Sequence, residues 1–103
     1  MKWPFKDPDE IQDYSVDWSR LLGDYVINSV KWYVRDAAGV KTWIQTAETV
    51  DGLQLAGTKT TATVTTARWA YGTANKTYRI TCAVTYNTTL VVERVIQFPI
   101  RER

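Results

Sequence analysis

From Thr77 to Asn87 the chain alternates without a fault. Tyr78, Ile80, Cys82, Val84 and Tyr86 are separated by Thr77, Arg79, Thr81, Ala83 and Thr85. A repeat of two puts the first set on one face of an extended strand and the second set on the other. No helix can sort these residues that way, so the segment is a strand with one buried face. A short loop, Asn87-Thr88-Thr89, leads into Leu90–Ile100, which pairs back with Val92, Ile96, Phe98 and Ile100 on one side. Pro99 has no N–H to give a ladder and belongs near a sheet end or edge.

The rest of the chain supplies partners for this hairpin. Residues 13–19 read as a first strand, with Tyr14, Val16 and Trp18 on one face, and Leu21-Leu22-Gly23 closes it with a single turn or bend. Asp24–Asp36 is a second strand with Val26, Asn28, Val30, Trp32 and Val34 on its core side. Asp36-Ala37-Ala38-Gly39 is a turn, Val40–Ala47 a short strand holding Trp43 and Ile44, and Asp51-Gly52 a hairpin dipeptide. Leu53–Ala56 and Thr60–Ala67 then flank a turn at Gly57-Thr58-Lys59. The second of these has Val64 as its single large apolar residue and reads as a strand near an edge. Tyr71–Lys76 is a loop. Strands recurring about every ten residues predict a sandwich or barrel. Trp32 resembles the buried tryptophan of immunoglobulin-type sandwiches, and Tyr78, following a turn, resembles their corner tyrosine. The expected class is all-β: an immunoglobulin-like antiparallel β-sandwich (residues 13–103) with an extended N-terminal arm (residues 1–12).

Thirteen basic against eleven acidic side chains leave a net charge of +2 over 103 residues. That balance is too mild, and its positive residues too scattered, to argue for nucleic acid. There is no histidine, which removes the commonest general base and metal ligand together. Cys82 is the single cysteine; it sits between Ile80 and Val84 and reads as a small core residue without a base to activate it. Asp7, Asp9, Glu10 and Asp13 form an acidic cluster, but Pro8 interrupts it and the spacing is not that of a calcium loop. Asp17 and Asp24 lack the supporting residues of a carboxylate pair, and no phosphate loop or dinucleotide fingerprint is present. The expectation is a protein that is no enzyme, with no cofactor, no metal and no small-molecule substrate. No apolar run reaches the length of a bilayer span and no secretory h-region opens the chain. We therefore expect no membrane partner and synthesis in a reducing cytoplasm. On that basis Asn75-Lys76-Thr77 and Asn87-Thr88-Thr89 are turn residues rather than glycosylation sites.

The aromatic residues are the remaining functional candidates. Trp18 and Trp32 have core explanations. Trp43, Trp69 and Tyr71 lie in less regular sequence; they can line a stacking platform for sugars or an interface, or cap the ends of the sandwich. Trp3 and Phe5 lie outside the regular strands beside prolines, in an arm too short to bury them itself. Such an arm packs on its own domain or docks on a neighbour, and aromatics are enriched at interface hot spots. Our expectation is that Trp3, Pro4 and Phe5 anchor the chain to another subunit, with Trp18 supporting the base of the arm.

Lys6-Asp7-Pro8-Asp9-Glu10 followed by Asp13-Tyr14-Ser15-Val16-Asp17-Trp18-Ser19, and then a strand with Trp32, is similar to the start of the small tailed-bacteriophage proteins known as fiber–tail adaptor proteins. Gly72-Thr73 before Thr77-Tyr78, the alternating strand after them, and the finish Glu93-Arg94 to Ile100-Arg101-Glu102 fit the same pattern. The stretch from Tyr33 to Leu55 departs from it, being longer and richer in tryptophan. The resemblance implies a virion structural protein of immunoglobulin-like fold, made in the bacterial host cytoplasm. It implies a multi-copy symmetric ring where tail, connector (neck) or fiber subunits meet. The alternative reading is a carbohydrate-binding or capsid-decorating module of the same fold, using Trp43, Trp69 and Tyr71.

Overall fold

A computed structural model describes residues 1–103. In chain order the elements are β1 (Ile11–Asp17), α1 (Ser19–Leu22), β2 (Ile27–Arg35), β3 (Lys41–Ile44), β4 (Thr49–Val50), β5 (Leu53–Thr60), β6 (Val64–Tyr71), β7 (Lys76–Tyr86) and β8 (Leu90–Ile100). They form two four-stranded antiparallel sheets, ordered β1-β6-β5-β4 and β3-β2-β7-β8. The all-β sandwich expected from the alternation is therefore what the chain folds into.

The alternating strand is β7, and Tyr78, Ile80, Cys82 and Val84 are all buried on its inner face. Its neighbours add Trp32, Val34, Ile96 and Phe98, and the opposite sheet answers with Val16, Leu53, Leu55 and Trp69. Full burial of each large apolar side chain contributes roughly 1.5–3 kcal/mol. Tyr78 also anchors a loop. Its hydroxyl donates to the Asp51 carbonyl at 2.7 Å and accepts the Thr73 N–H at 2.9 Å. The stretch before β7 is thereby pinned to the β4–β5 turn. That turn is Asp51-Gly52, both at positive φ (49° and 83°), as a two-residue hairpin connection requires.

Three local readings are corrected. Gly57 is not in a turn. β5 runs through it to Thr60, and the extra residue is absorbed as a bulge between Leu55 and Gly57. The chain turns instead at Thr61-Ala62-Thr63, where the Val64 N–H donates to Thr61 Oγ1 (3.1 Å) and the Thr61 N–H donates to the Val64 carbonyl (2.9 Å). The threonine-rich segment is consequently not an edge; β6 lies between β1 and β5 with Thr65, Ala67 and Trp69 buried. In β2, an irregularity between Ile27 and Ser29 breaks the phase, so Val26 is exposed while Trp32 and Val34 face the core.

Candidate interaction surfaces

The sandwich has two open sides, where the edge of one sheet faces the edge of the other. The N-terminal arm closes one of them. It runs parallel to β8: the Gln97 N–H donates to the Met1 carbonyl (3.0 Å), the Trp3 N–H to Gln97 (3.0 Å), the Lys6 N–H to Pro99 (3.1 Å) and the Arg101 N–H to Lys6 (2.9 Å). The step from Trp3 to Lys6 is one residue longer than the step from Gln97 to Pro99. Pro4 and Phe5 bulge across the rung that Pro99 cannot make. Pro99 is thus on the edge side of β8, as expected, but the arm covers that edge from Gln97 to Arg101.

The arm's tryptophan is inside. Trp3 is 4% exposed, stacked on Tyr14 (5.2 Å between ring centroids) and edge-on to Phe98 (5.3 Å). Its indole N–H donates to the Ser15 carbonyl of β1 at 3.2 Å. The arm therefore joins one sheet through its backbone and the other through Trp3. This corrects the expectation that the arm holds Trp3 free for a neighbour: burial in its own domain satisfies both the ring and its donor. Trp18 is likewise enclosed, with its N–H on Thr65 Oγ1 at 3.0 Å. It also does not support the base of the arm. The arm enters β1 at Ile11, and Trp18 follows the far end of that strand, about 20 Å away at strand rise. Of the four expected anchors, Pro4 and Phe5 alone reach the surface, Phe5 being 37% exposed beneath the Arg103 guanidinium.

Behind Phe5 lies a latch that the sequence did not announce. The Lys6 side chain is fully buried, and its ammonium donates to the carbonyls of Asp7 and Glu10, both at 2.7 Å. Burial lowers its pKa, against the upward pull of Glu10, Asp7 and Asp9. Glu10 Oε1 accepts the Asp7 N–H (3.0 Å) and Arg103 Nε (2.8 Å), and Asp7 accepts the N–H groups of Arg103 and Asp9 (both 2.8 Å). The amide of Arg103, then that of Asp9, holds the Asp7 carboxyl below its usual range; the amide of Asp7, then the Arg103 side chain, does the same for Glu10. Asp13 is engaged elsewhere, with Arg68 at 2.8 Å. The acidic cluster is thus a joint between the two ends of the chain.

The three residues of the stacking platform are not brought together. Trp69 is 0% exposed on the central strand β6 and meets Trp32 edge-on, which removes it from any sugar surface. Tyr71 is exposed at the end of β6 in one sheet; Trp43 is 49% exposed on β3 in the other. Trp43 belongs instead to a row across the outer face of its sheet, through the pairs Trp43–Tyr33, Tyr33–Thr81 and Thr81–Val95. Lys31 lies over the Trp43 ring (4.6 Å), and Lys41 lies over Tyr33 (4.5 Å) while pairing with Glu93 (3.0 Å). Val91 and Val95 extend this exposed apolar and cationic face. Cys82 is buried against Thr65, and burial pushes its thiol up to about 12.

A family model described as podophage GP4 fiber-tail adaptor protein gp77 matches residues 6–99. The chain belongs to this family. Membership makes it a bacteriophage fiber–tail adaptor and a virion component. The matched span opens at Lys6, the buried lysine of the latch, and closes at Pro99, the residue whose carbonyl accepts from the Lys6 N–H. Met1–Phe5, including Trp3, lies outside it. No curated protein matches the chain.

Proposed function

We propose that this protein joins tail, neck or fiber components of a podophage particle through protein–protein contacts, in several copies around the tail, and catalyses nothing. The family match over 6–99, from the latch lysine to the covered edge of β8, carries this reading. The chain's surface supports it: Phe5, Trp43, Val91 and Val95 are exposed apolar groups on a domain whose own core is already filled. We assign Pro4 and Phe5, and the outer row Tyr33–Trp43, to partner contact. Trp3 and Trp18 hold the frame behind them. Copies around a tail would meet through heterologous contacts that close a ring. We also read the strand order as immunoglobulin-type, with β3-β2-β7-β8 in the place of the sheet that carries the buried tryptophan and the corner tyrosine.

Reconstruction of the whole particle tests the reading. The domain should fill density between tail and fiber components, with Phe5 or the Trp43 face against another polypeptide. A particle lacking the chain from that junction, or one with fibers fully attached after its gene is deleted, refutes it.

A further inference from the structure

The second open side of the sandwich is not closed. β3 pairs with β2 over Trp32–Arg35 alone and then leaves for the other sheet, where the Ala47 N–H donates to the Leu55 carbonyl (2.7 Å). Asn28–Lys31 of β2 are therefore without a backbone partner on the side away from β7. Across the gap, β4 and the Ala47-Glu48 backbone cover β5 as far as Leu55, whose N–H donates to the Glu48 carbonyl (3.1 Å), so β5 is bare on that side beyond Leu55. Between these two edges lies a groove of about 330 Å³ floored by Val30, Trp32, Ile44 and Leu55, with Trp43 and Thr58 at its rim. Trp32 is 2% exposed, and its indole N–H has no hydrogen-bond partner. A buried donor left without an acceptor costs stability, and the groove is the open space that the Trp32 ring borders.

The one charged side chain lining the groove is a cation. Lys31 stands on its β2 lip and is in no ion pair. No carboxylate lines the groove, and the nearest in sequence, Glu48, is turned onto the Gln45 N–H at 2.6 Å. On the opposite side of the same molecule the arm shows how such a gap is filled, by backbone pairing along one edge and an apolar side chain pushed between the sheets.

We propose that this groove receives an extended segment of a partner polypeptide, alternating apolar and acidic residues, which pairs with the free edge of β2 in the row β3 vacates. Its apolar side chains enter over Trp32 and Leu55, and its outward carboxylate meets Lys31. This is strand addition, with the backbone giving affinity and the groove giving specificity. It rests on the adaptor reading for the source of the segment, but not for the binding itself.

The probe is the capped hexapeptide Glu-Val-Glu-Ile-Glu-Val, titrated into the full chain and followed by amide and indole ¹H–¹⁵N shifts. We expect movement of the Asn28–Lys31 amides and of the Trp32 indole N–H. The same peptide with Lys for Glu should bind about threefold more weakly, as one exposed charge pair allows. An N-methylated backbone should abolish binding. The variant Lys31→Glu, at an exposed position that leaves the core intact, should reverse the preference. Equal binding of the lysine peptide, or a Trp32 indole signal that stays still at saturation, overturns the proposal. In the particle, the chain at the joint with β2 bare sinks the groove and leaves the adaptor reading standing; peptide binding with the chain absent from the joint does the reverse.

Discussion

Trp3 reaches from the edge of one sheet to Ser15 in the other, so its removal opens a void that neither sheet can close alone. Truncating a large buried aromatic costs about 3–5 kcal/mol. We expect Trp3→Ala to lower the denaturant midpoint accordingly with an unchanged m-value, while Phe5→Ala, at a half-exposed ring, stays within about 1 kcal/mol. Equal, small effects for the two would show that the arm is not part of the core. Cys82 is a second residue-scale case. Its thiol is raised to about 12 by burial, above the ordinary thiol value it regains on unfolding. In the native chain it should stay unreactive to a thiol reagent at pH 8 and react at the unfolding rate. Above the ordinary thiol value the folded state keeps a proton that the unfolded state loses. The stability this contributes is present below that value and is lost as pH rises through the window up to about 12.

At the scale of elements, the arm is a strand held by a titratable latch. Asp7 and Glu10 have depressed folded pKa values, so the stability they contribute is present above the usual carboxylate range and is lost as pH falls through their folded values. The protection factors of the Trp3 and Lys6 amides, taken against the intrinsic exchange rate at each pH, should therefore drop once pH falls below the ordinary carboxylate range, with the β7 amides still protected; a uniform drop along the chain would refute a local latch. Deleting residues 1–10 should both destabilise the domain and bare the β8 edge, so sedimentation should reveal self-association that the full chain lacks. A truncated form as stable and as monomeric as the full chain would contradict this. The elements also divide what the sequence discloses from what it conceals. β7, β8 and the Asp51-Gly52 turn are legible because period and turn chemistry are local. The bulge at Gly57 is not, since a glycine among threonines reads equally as a turn; misplacing that turn makes β6 an edge and leaves Trp69 in a supposed irregular stretch. Pro4 and Phe5 stand out in the sequence as surface candidates, and both do reach the surface. Trp3 reads as free because nothing local says that an arm pairs parallel to a strand some ninety residues later.

At the scale of the molecule, the Cα radius of gyration is 13.5 Å, close to the roughly 13 Å of a domain of this length. The arm therefore adds no reach, and scattering in solution should return a compact particle rather than a tadpole. Because Trp3 ties both sheets, tryptophan fluorescence and far-ultraviolet dichroism should report one coincident unfolding transition; separate transitions would mean that the arm undocks on its own. The groove beside β2 cannot be foreseen from the sequence. It arises from where β3 stops and β4 begins, which is a property of pairing and not of any residue. Pro99, at the covered edge, has a wider bearing. A proline there deletes one donor from the outer rail of β8, and the arm answers with a bulge of matching length. An ordinary straight strand offered to that rail would meet a missing rung. Molecules crowded shoulder to shoulder thus find no continuous template along that stretch so long as the arm stays docked.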